Sequence, residues 1–142
     1  MQNTYFVDGV RTPFGKAGEK GVYWNTRADD LVVKAMIGLL DRNQSVPKDA
    51  IDDVAIAATT QVGDQGLTIG RTAAILAGLP NTVPGFAIDR MCAGAMTAVA
   101  MTGSAIGTGA YDVVLAGGVE HMGRHPMGFD ADPNPRFIAE KL

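Results

Sequence analysis

The single cysteine of this sequence, Cys92, stands where two predicted elements meet. The apolar residues of 83–89 predict a β-strand, and the small residues of 93–108 predict a helix. A thiol at a helix start lies close to unpaired backbone N–H groups and to the positive end of the helix dipole, which favour a thiolate. Because the thiolate is the reactive form of cysteine, this position predicts a nucleophile for covalent catalysis. Free cysteine is also among the most buried residue types, so a core position for Cys92 is the alternative.

Two histidines in a glycine-rich segment are the next candidates for chemistry. Either His121 or His125 could act as a base to Cys92, since an imidazole can activate a thiol. Together with Glu120 they could also bind a metal ion, although a glycine-rich loop does not bring both rings to one face as a helix would. The third interpretation is a pair of loop histidines that lie at the surface or support the site without touching the substrate.

The elements that must position these residues alternate between strand and helix. The predicted strands are 4–10, 53–59, 83–89 and 112–116, and the predicted helices are 26–42, 68–77 and 93–108. This order, at spacings that suit crossover connections, predicts an α/β layered domain with a substantially parallel sheet.

The sequence also predicts how the first helix is capped and how deeply one strand and one helix are buried. Thr26, with Asp29 three residues later, predicts the cap of the first helix. The continuous apolar run of 112–116 predicts a central strand that is covered on both faces. The helix of 93–108 is apolar almost all round and is expected to be buried on most sides, with its glycines where another backbone approaches closely.

Composition narrows the class of protein. Apolar residues make up 46% of the 142 residues and charged residues 19%, which is typical of a globular domain. The formal net charge of −3 argues against a nucleic-acid partner. One cysteine cannot form an internal disulfide and indicates a reducing compartment, so we expect a cytoplasmic protein. The sequence shows neither a signal-peptide pattern nor an apolar run long enough to span a membrane.

Four sequence blocks, in consistent order, resemble the thiolase family. They are 7–16 (VDGVRTPFGK), 62–80, 89–92 (DRMC) and 115–122 (LAGGVEHM). The resemblance implies a thiolase-like layered α/β/α/β/α fold made of two similar halves, of which this chain is the first, with a mixed, largely parallel sheet. In that frame, residues 1–119 are the N-terminal half-domain and residues 120–142 begin the family's loop region.

The resemblance also implies an activity. Cys92 takes the place of the family's nucleophile, which accepts an acyl group from acyl-CoA as a thioester and passes it to CoA or to a second thioester. The two directions are 3-ketoacyl-CoA cleavage and acetyl-CoA condensation. The substrates are therefore CoA thioesters, no cofactor or metal is required, and the assembly is a homodimer or homotetramer. The alternatives are another condensing enzyme of the superfamily (a ketoacyl synthase or a sterol-carrier-type homologue) and a non-catalytic acyl-CoA binding or assembly subunit.

The sequence departs from the family pattern at two positions beside the cysteine. Asp89 stands where the family has asparagine, and Gly94 where it has serine or threonine. A carboxylate at Asp89 disfavours a neighbouring thiolate unless another group neutralises it. The family's second catalytic cysteine, its Gly-His-Pro motif and its Asn-Glu-Ala-Phe motif do not occur in these 142 residues. We therefore expect the chain alone to be inactive.

Overall fold

The computed structural model describes residues 2–139 and contains a three-stranded parallel sheet. The strands are β1 (Asp53–Ala57), β2 (Phe86–Ile88) and β3 (Val114–Gly118), in the order β2-β1-β3. The helices are α1 (Ala28–Arg42), α2 (Ile69–Leu76), α3 (Gly94–Gly107) and the short α4 (Pro135–Ala139). The predicted α/β class with a parallel sheet is confirmed. No helix within residues 2–139 combines the length and apolarity that a membrane crossing requires.

The central strand β1 is buried along its whole length because helices cover both of its faces. Val54 and Ile56 belong to a cluster with buried side chains of α1 and α2. Ala55 and Ala57 alternate with them and pack on the opposite face, against Ala98 of α3. Alternation along the strand therefore gives large side chains to one layer and methyl groups to the other.

The predicted strand at 4–10 is wrong. Residues 2–16 form neither helix nor strand, and Tyr5, Phe6 and Val7 are largely exposed. The segment is attached to α3 by the Gln2 backbone N–H, which donates to Gly107, and by the Thr4 hydroxyl, which donates to Gly103. The β-prone side chains are present, but a strand requires a hydrogen-bonded neighbour, and none is present among the described residues.

Two predictions about burial are also wrong. The strand predicted to be central, β3, begins at Val114 and lies at an edge of the sheet formed by residues 2–139, where it is only half-buried. Helix α3 buries a single face, whereas Met96 on its outer side is 73% exposed. An apolar sequence shows what a helix can bury, but the number of layers packed on it decides what it does bury.

The predicted cap of α1 is displaced. The helix begins at Ala28, and Arg27 stands at the cap position with its guanidinium bound to Asp29 at 2.9 and 2.7 Å. The Ala28 backbone N–H instead acts on Asp64, from a loop beyond β1, and helps to lower the pKa of that carboxyl. A carboxylate from a distant loop thus takes the role predicted for Thr26.

Candidate functional site

Cys92 lies in the turn between β2 and α3, as predicted. The chain leaves β2 at Ile88, makes a short 3₁₀ turn over Met91–Ala93, and enters α3 at Gly94. The cysteine is exposed, so the alternative of a buried core position is wrong. Its location is confirmed, and its role as nucleophile remains a prediction.

The backbone is strained immediately before the cysteine. Met91 has φ of +45°, in the left-handed region that residues with a side chain seldom adopt. Its side chain is exposed, so the conformation is not explained by burial of the thioether. Residues held in such conformations occur often at functional sites, where they turn the chain sharply. Arg90 supports the turn from outside by donating from Nη1 to the Thr97 hydroxyl, 3.2 Å away.

Two glycines let the start of α3 rest directly on the sheet. A Cβ placed on Gly94 would lie 2.7 Å from Cβ of Ala57, and one placed on Gly118 would lie 3.1 Å from Cβ of Ala95. Both separations are too short for ordinary packing. Of the close approaches expected at the glycines of α3, the one at Gly94 is confirmed, whereas a Cβ on Gly103 or Gly107 would meet only ordinary contact, at 3.6 and 3.8 Å. At Gly94, where the family has serine or threonine, this backbone has no room for a side chain.

A buried amide connects the loops that follow β1 and β3. Gln65 is fully buried and donates from Nε2 to the Thr60 carbonyl at 2.8 Å and to Glu120 Oε1 at 3.0 Å. Its Oε1 accepts the backbone N–H of His121 at 2.6 Å. The second carboxylate oxygen of Glu120 accepts the backbone N–H of Thr59 at 2.8 Å. The carboxyl ends of the two strands are thus joined by one set of side-chain hydrogen bonds.

The two histidines are buried and are engaged away from Cys92. His121 donates from Nε2 to the Tyr23 carbonyl at 2.7 Å and accepts the Arg124 backbone N–H at Nδ1. His125 is hydrogen-bonded through Nε2 to Asp64. The interpretation as direct bases to Cys92 is not supported, and the surface interpretation is wrong. Within residues 2–139 no group of three potential ligands is suitably placed for a metal ion, so Glu120 and the histidines do not form one.

Asp64 is the centre of a second polar cluster. Its carboxylate pairs with His125 and with Arg124 Nε at 3.0 Å. Burial raises the pKa of Asp64, but the hydrogen bonds from His125 and Ala28 and the charge of Arg124 together outweigh burial and lower it below its usual value. His125 Nδ1 is buried and has no hydrogen-bond partner within residues 2–139.

The roles of Asp64 and Gln65 were not predicted from the sequence. The available signal was the Gly-Asp-Gln-Gly stretch of 63–66, a few residues after the strand predicted at 53–59, where polar side chains between glycines can reach neighbouring loops. Nothing in that stretch specified which distant backbone groups they would bond. The partners of Gln65 lie as many as 56 residues away along the chain.

Cavities on the described part of the molecule include two beside the N-terminal segment. One, of about 400 Å³, lies between residues 10–17 and residues 118–123. The other, of about 280 Å³, lies between residues 4–8 and residues 112–116. Cys92 lines neither of them. The thiol itself is exposed, beyond the carboxyl end of β2.

Comparison with known proteins gives consistent similarities. The family model for the thiolase N-terminal domain matches residues 4–141. The 3-ketoacyl-CoA thiolase of Pseudoalteromonas translucida is 44% identical over 135 residues, which are 95% of this chain and 34% of that protein. The corresponding protein of Saccharophagus degradans is 41% identical over 134 residues, 94% of this chain and 34% of that protein.

A solved structure shows the same similarity. The crystal structure of the Bacillus anthracis acetyl-CoA acetyltransferase superposes with a TM-score of 0.79 at 34% identity, over 87% of this chain and 30% of that chain. The chain thus spans about a third of the length of the relatives it matches.

Proposed function

This chain belongs to the thiolase family, within its N-terminal domain, and from that premise we propose that it carries the acyl-accepting cysteine of a thiolase-type acyltransferase. The observation that carries the proposal is the placement of Cys92. It is exposed in a strained turn between the end of a parallel strand and the start of a helix. The fold and the family are common to acyltransferases that act on CoA thioesters, as the names of the relatives state.

In the proposed reaction the Cys92 sulfur attacks the carbonyl carbon of a thioester or 3-ketoacyl substrate. With acetyl-CoA, a new C–S bond to Cys92 forms, the C–S bond to CoA breaks, and CoA leaves as a thiolate that takes up a proton. With a 3-ketoacyl-CoA, attack at the keto carbon breaks the C2–C3 bond, and the released acetyl-CoA carbanion is protonated. In both cases the acyl group rests on Cys92 until CoA or a second thioester accepts it.

The proton transfers require groups beyond those found near Cys92. His121 and His125 are bonded to Tyr23 and Asp64. The resemblance assigns the acid and base to motifs that this sequence lacks. We therefore propose that residues 1–142 alone do not turn over substrate, and that the complete activity requires the remaining parts of the family's architecture.

Further parts of the proposal concern the complete protein. It acts on CoA thioesters in fatty acid metabolism without an additional cofactor, as a homodimer or homotetramer in the cytoplasm. Residues 120–142 begin its loop region. Support for the loop assignment comes from the loss of regular structure after β3, where turns precede the short α4.

Mass spectrometry after incubation with acetyl-CoA or acetoacetyl-CoA tests the central step. We expect one acyl group per chain, on Cys92, and no continuing release of CoA. A Cys92→Ser variant is the control and should lose the thioester. If Cys92 stays unmodified by both acyl-CoA and iodoacetamide in a folded protein, the acyl-acceptor role is refuted and a non-catalytic binding or assembly subunit is favoured. Continuing turnover would refute the inactivity of the chain alone.

A further inference from the structure

Gln65 occupies a buried position with a specific hydrogen-bonding requirement. Its side chain must donate twice, to the Thr60 carbonyl and to Glu120, and accept once, from the His121 backbone N–H. A primary amide satisfies both kinds of bond at one fully buried position. A carboxylate of the same shape could accept from His121 but could donate to neither of the other two. The amide is therefore specifically required, and its volume alone does not explain it.

The bonds of Gln65 act across the sheet. Thr59 and Thr60 follow β1, whereas Glu120 and His121 follow β3, and the Gln65–Glu120 pair holds the two loops together. We call Gln65 and Glu120 the clamp. The backbone ladder continues beneath it, because the Val119 N–H donates to the Ala57 carbonyl at 2.9 Å.

The strand ends that the clamp joins are the surface on which the cysteine-bearing helix rests. Gly94 packs against Ala57 at the end of β1, and Ala95 packs against Gly118 at the end of β3. The third strand end is tied in by the Ala58 N–H, which donates to Ile88 at 3.3 Å. With separations this small, a change in the spacing of the strand ends must move the start of α3.

We infer that Gln65 is a positioning residue for Cys92, acting through Glu120 and the ends of β1 and β3 on the start of α3. The inference rests on the proposed role of Cys92. Gln65 does not touch the reacting atoms in this scheme. Gln65 fixes the orientation of the start of α3 relative to the Cys92 thiol. Small displacements of the start of α3 change the reactivity of that thiol.

The test uses the rate of Cys92 alkylation by iodoacetamide as a function of pH, which is specific because the chain has one cysteine. Gln65→Glu removes both donated bonds and places a second carboxylate beside Glu120. We expect alkylation at least about threefold slower at neutral pH and a profile displaced along the pH axis.

The double variant Gln65→Glu/Glu120→Gln exchanges the amide and the carboxylate. Its new amide at position 120 can donate to the new carboxylate at position 65 and still accept from Thr59. The Thr60 carbonyl still faces a carboxylate instead of a donor, so we expect the rate to recover only in part, to a value between those of Gln65→Glu and the wild type.

The matched control is Tyr111→Phe. It removes a hydrogen bond of 2.8 Å from the Tyr111 hydroxyl to Asp53, at the amino end of β1 and far from the clamp along the strand. We expect a lower melting temperature and an unchanged alkylation profile. If Gln65→Glu behaves like this control, losing stability without any change in the profile, Gln65 is only a structural residue and the inference is wrong.

Two further outcomes are separable. If Gln65→Glu does not fold, the milder Glu120→Gln variant replaces it. That variant keeps an acceptor for the Thr59 N–H but turns an amide N–H group toward the Gln65 amide. An unchanged alkylation profile of Glu120→Gln also refutes the inference. If wild-type Cys92 is alkylated but never acylated by acyl-CoA, the proposed function fails. In that case the comparison of alkylation profiles still decides the role of the clamp.

Discussion

The two faces of the sheet are covered in different ways. On the face toward α1 and α2, branched side chains such as Val54 and Ile56 fill a cluster that is closed to solvent. On the face toward α3, Ala55 and Ala57 meet a helix that approaches almost to backbone contact, while Met96 on its outer side is exposed. The first face is held mainly by buried volume and the second by close fit. The residue with the proposed chemistry is on the close-fitting side.

The largest expected effect is on the closed face. Ile56→Ala removes three carbons from the buried cluster and leaves a cavity, so we expect a loss of about 3 kcal/mol in the free energy of unfolding. Urea denaturation measures this. Ile75→Ala, on the outer side of α2 where the side chain is 46% exposed, is the control and should cost less than about 1 kcal/mol. Equal losses at the two positions would contradict the view that buried volume dominates on this face.

A smaller effect, of steric origin, is expected on the other face. Gly94→Ala adds one methyl group 2.7 Å from Cβ of Ala57, and the start of α3 must move, at a cost of about 2 kcal/mol. Gly103→Ala in the same helix meets only ordinary contact, 3.6 Å from Thr4 Cγ2, and should be neutral or stabilising by up to about 1 kcal/mol. Both are read from urea denaturation, with Cys92 alkylation as a second measurement. If Gly94→Ala proves as harmless as Gly103→Ala, close fit is not what holds this face.

The smallest effect concerns the polar bonds at the start of α1. The pKa of Asp64 is lowered in the folded protein, so its contribution to stability is present above the unfolded-state value of about 3.9 and is lost as pH falls through the folded value. Asp52, whose pKa is lowered by the backbone N–H groups of Val113 and Asp112, acts in the same direction. We expect Asp64→Asn to lower stability by about 1.5 kcal/mol at pH 7.

The pH dependence distinguishes the charge of Asp64 from its shape. The free energy of unfolding of the Asn variant should fall less steeply than that of the wild type between about pH 5 and about pH 2, since one of the titrating carboxylates has been removed. Parallel curves would show that the carboxylate charge at Asp64 does not contribute to the acid sensitivity of the fold.

Local sequence patterns were sufficient to predict the elements that depend mainly on their own residues. The helical spacing of α2, the strand at β1 and the junction at Cys92 were predicted correctly from sequence. The resemblance supplied the family, which the comparisons confirmed. Predictions failed where a distant partner decides the structure. The segment 4–10 has strand-forming residues without a neighbouring strand among the described residues, and Asp64, rather than the adjacent Thr26, meets the start of α1.

The clamp could not have been predicted because it depends on the register of the sheet. Ala57 of β1 lies opposite Gly118 of β3, so the loops that follow these two strands begin side by side at the same edge of the sheet. Only then can Gln65 reach Glu120. Sequence patterns give the order of elements more readily than register, and register determines which polar side chains meet.

The parallel topology also determines the order in which the molecule can assemble. The central strand β1 is the first of the three to leave the ribosome, yet both of its partners are encoded later, β2 about 30 residues downstream and β3 about 60. Until they are made, its backbone groups have no ladder to join, and each pairing must close a long loop. The slow step of folding should therefore be the joining of β3 to β1, which also brings Gln65 and Glu120 together.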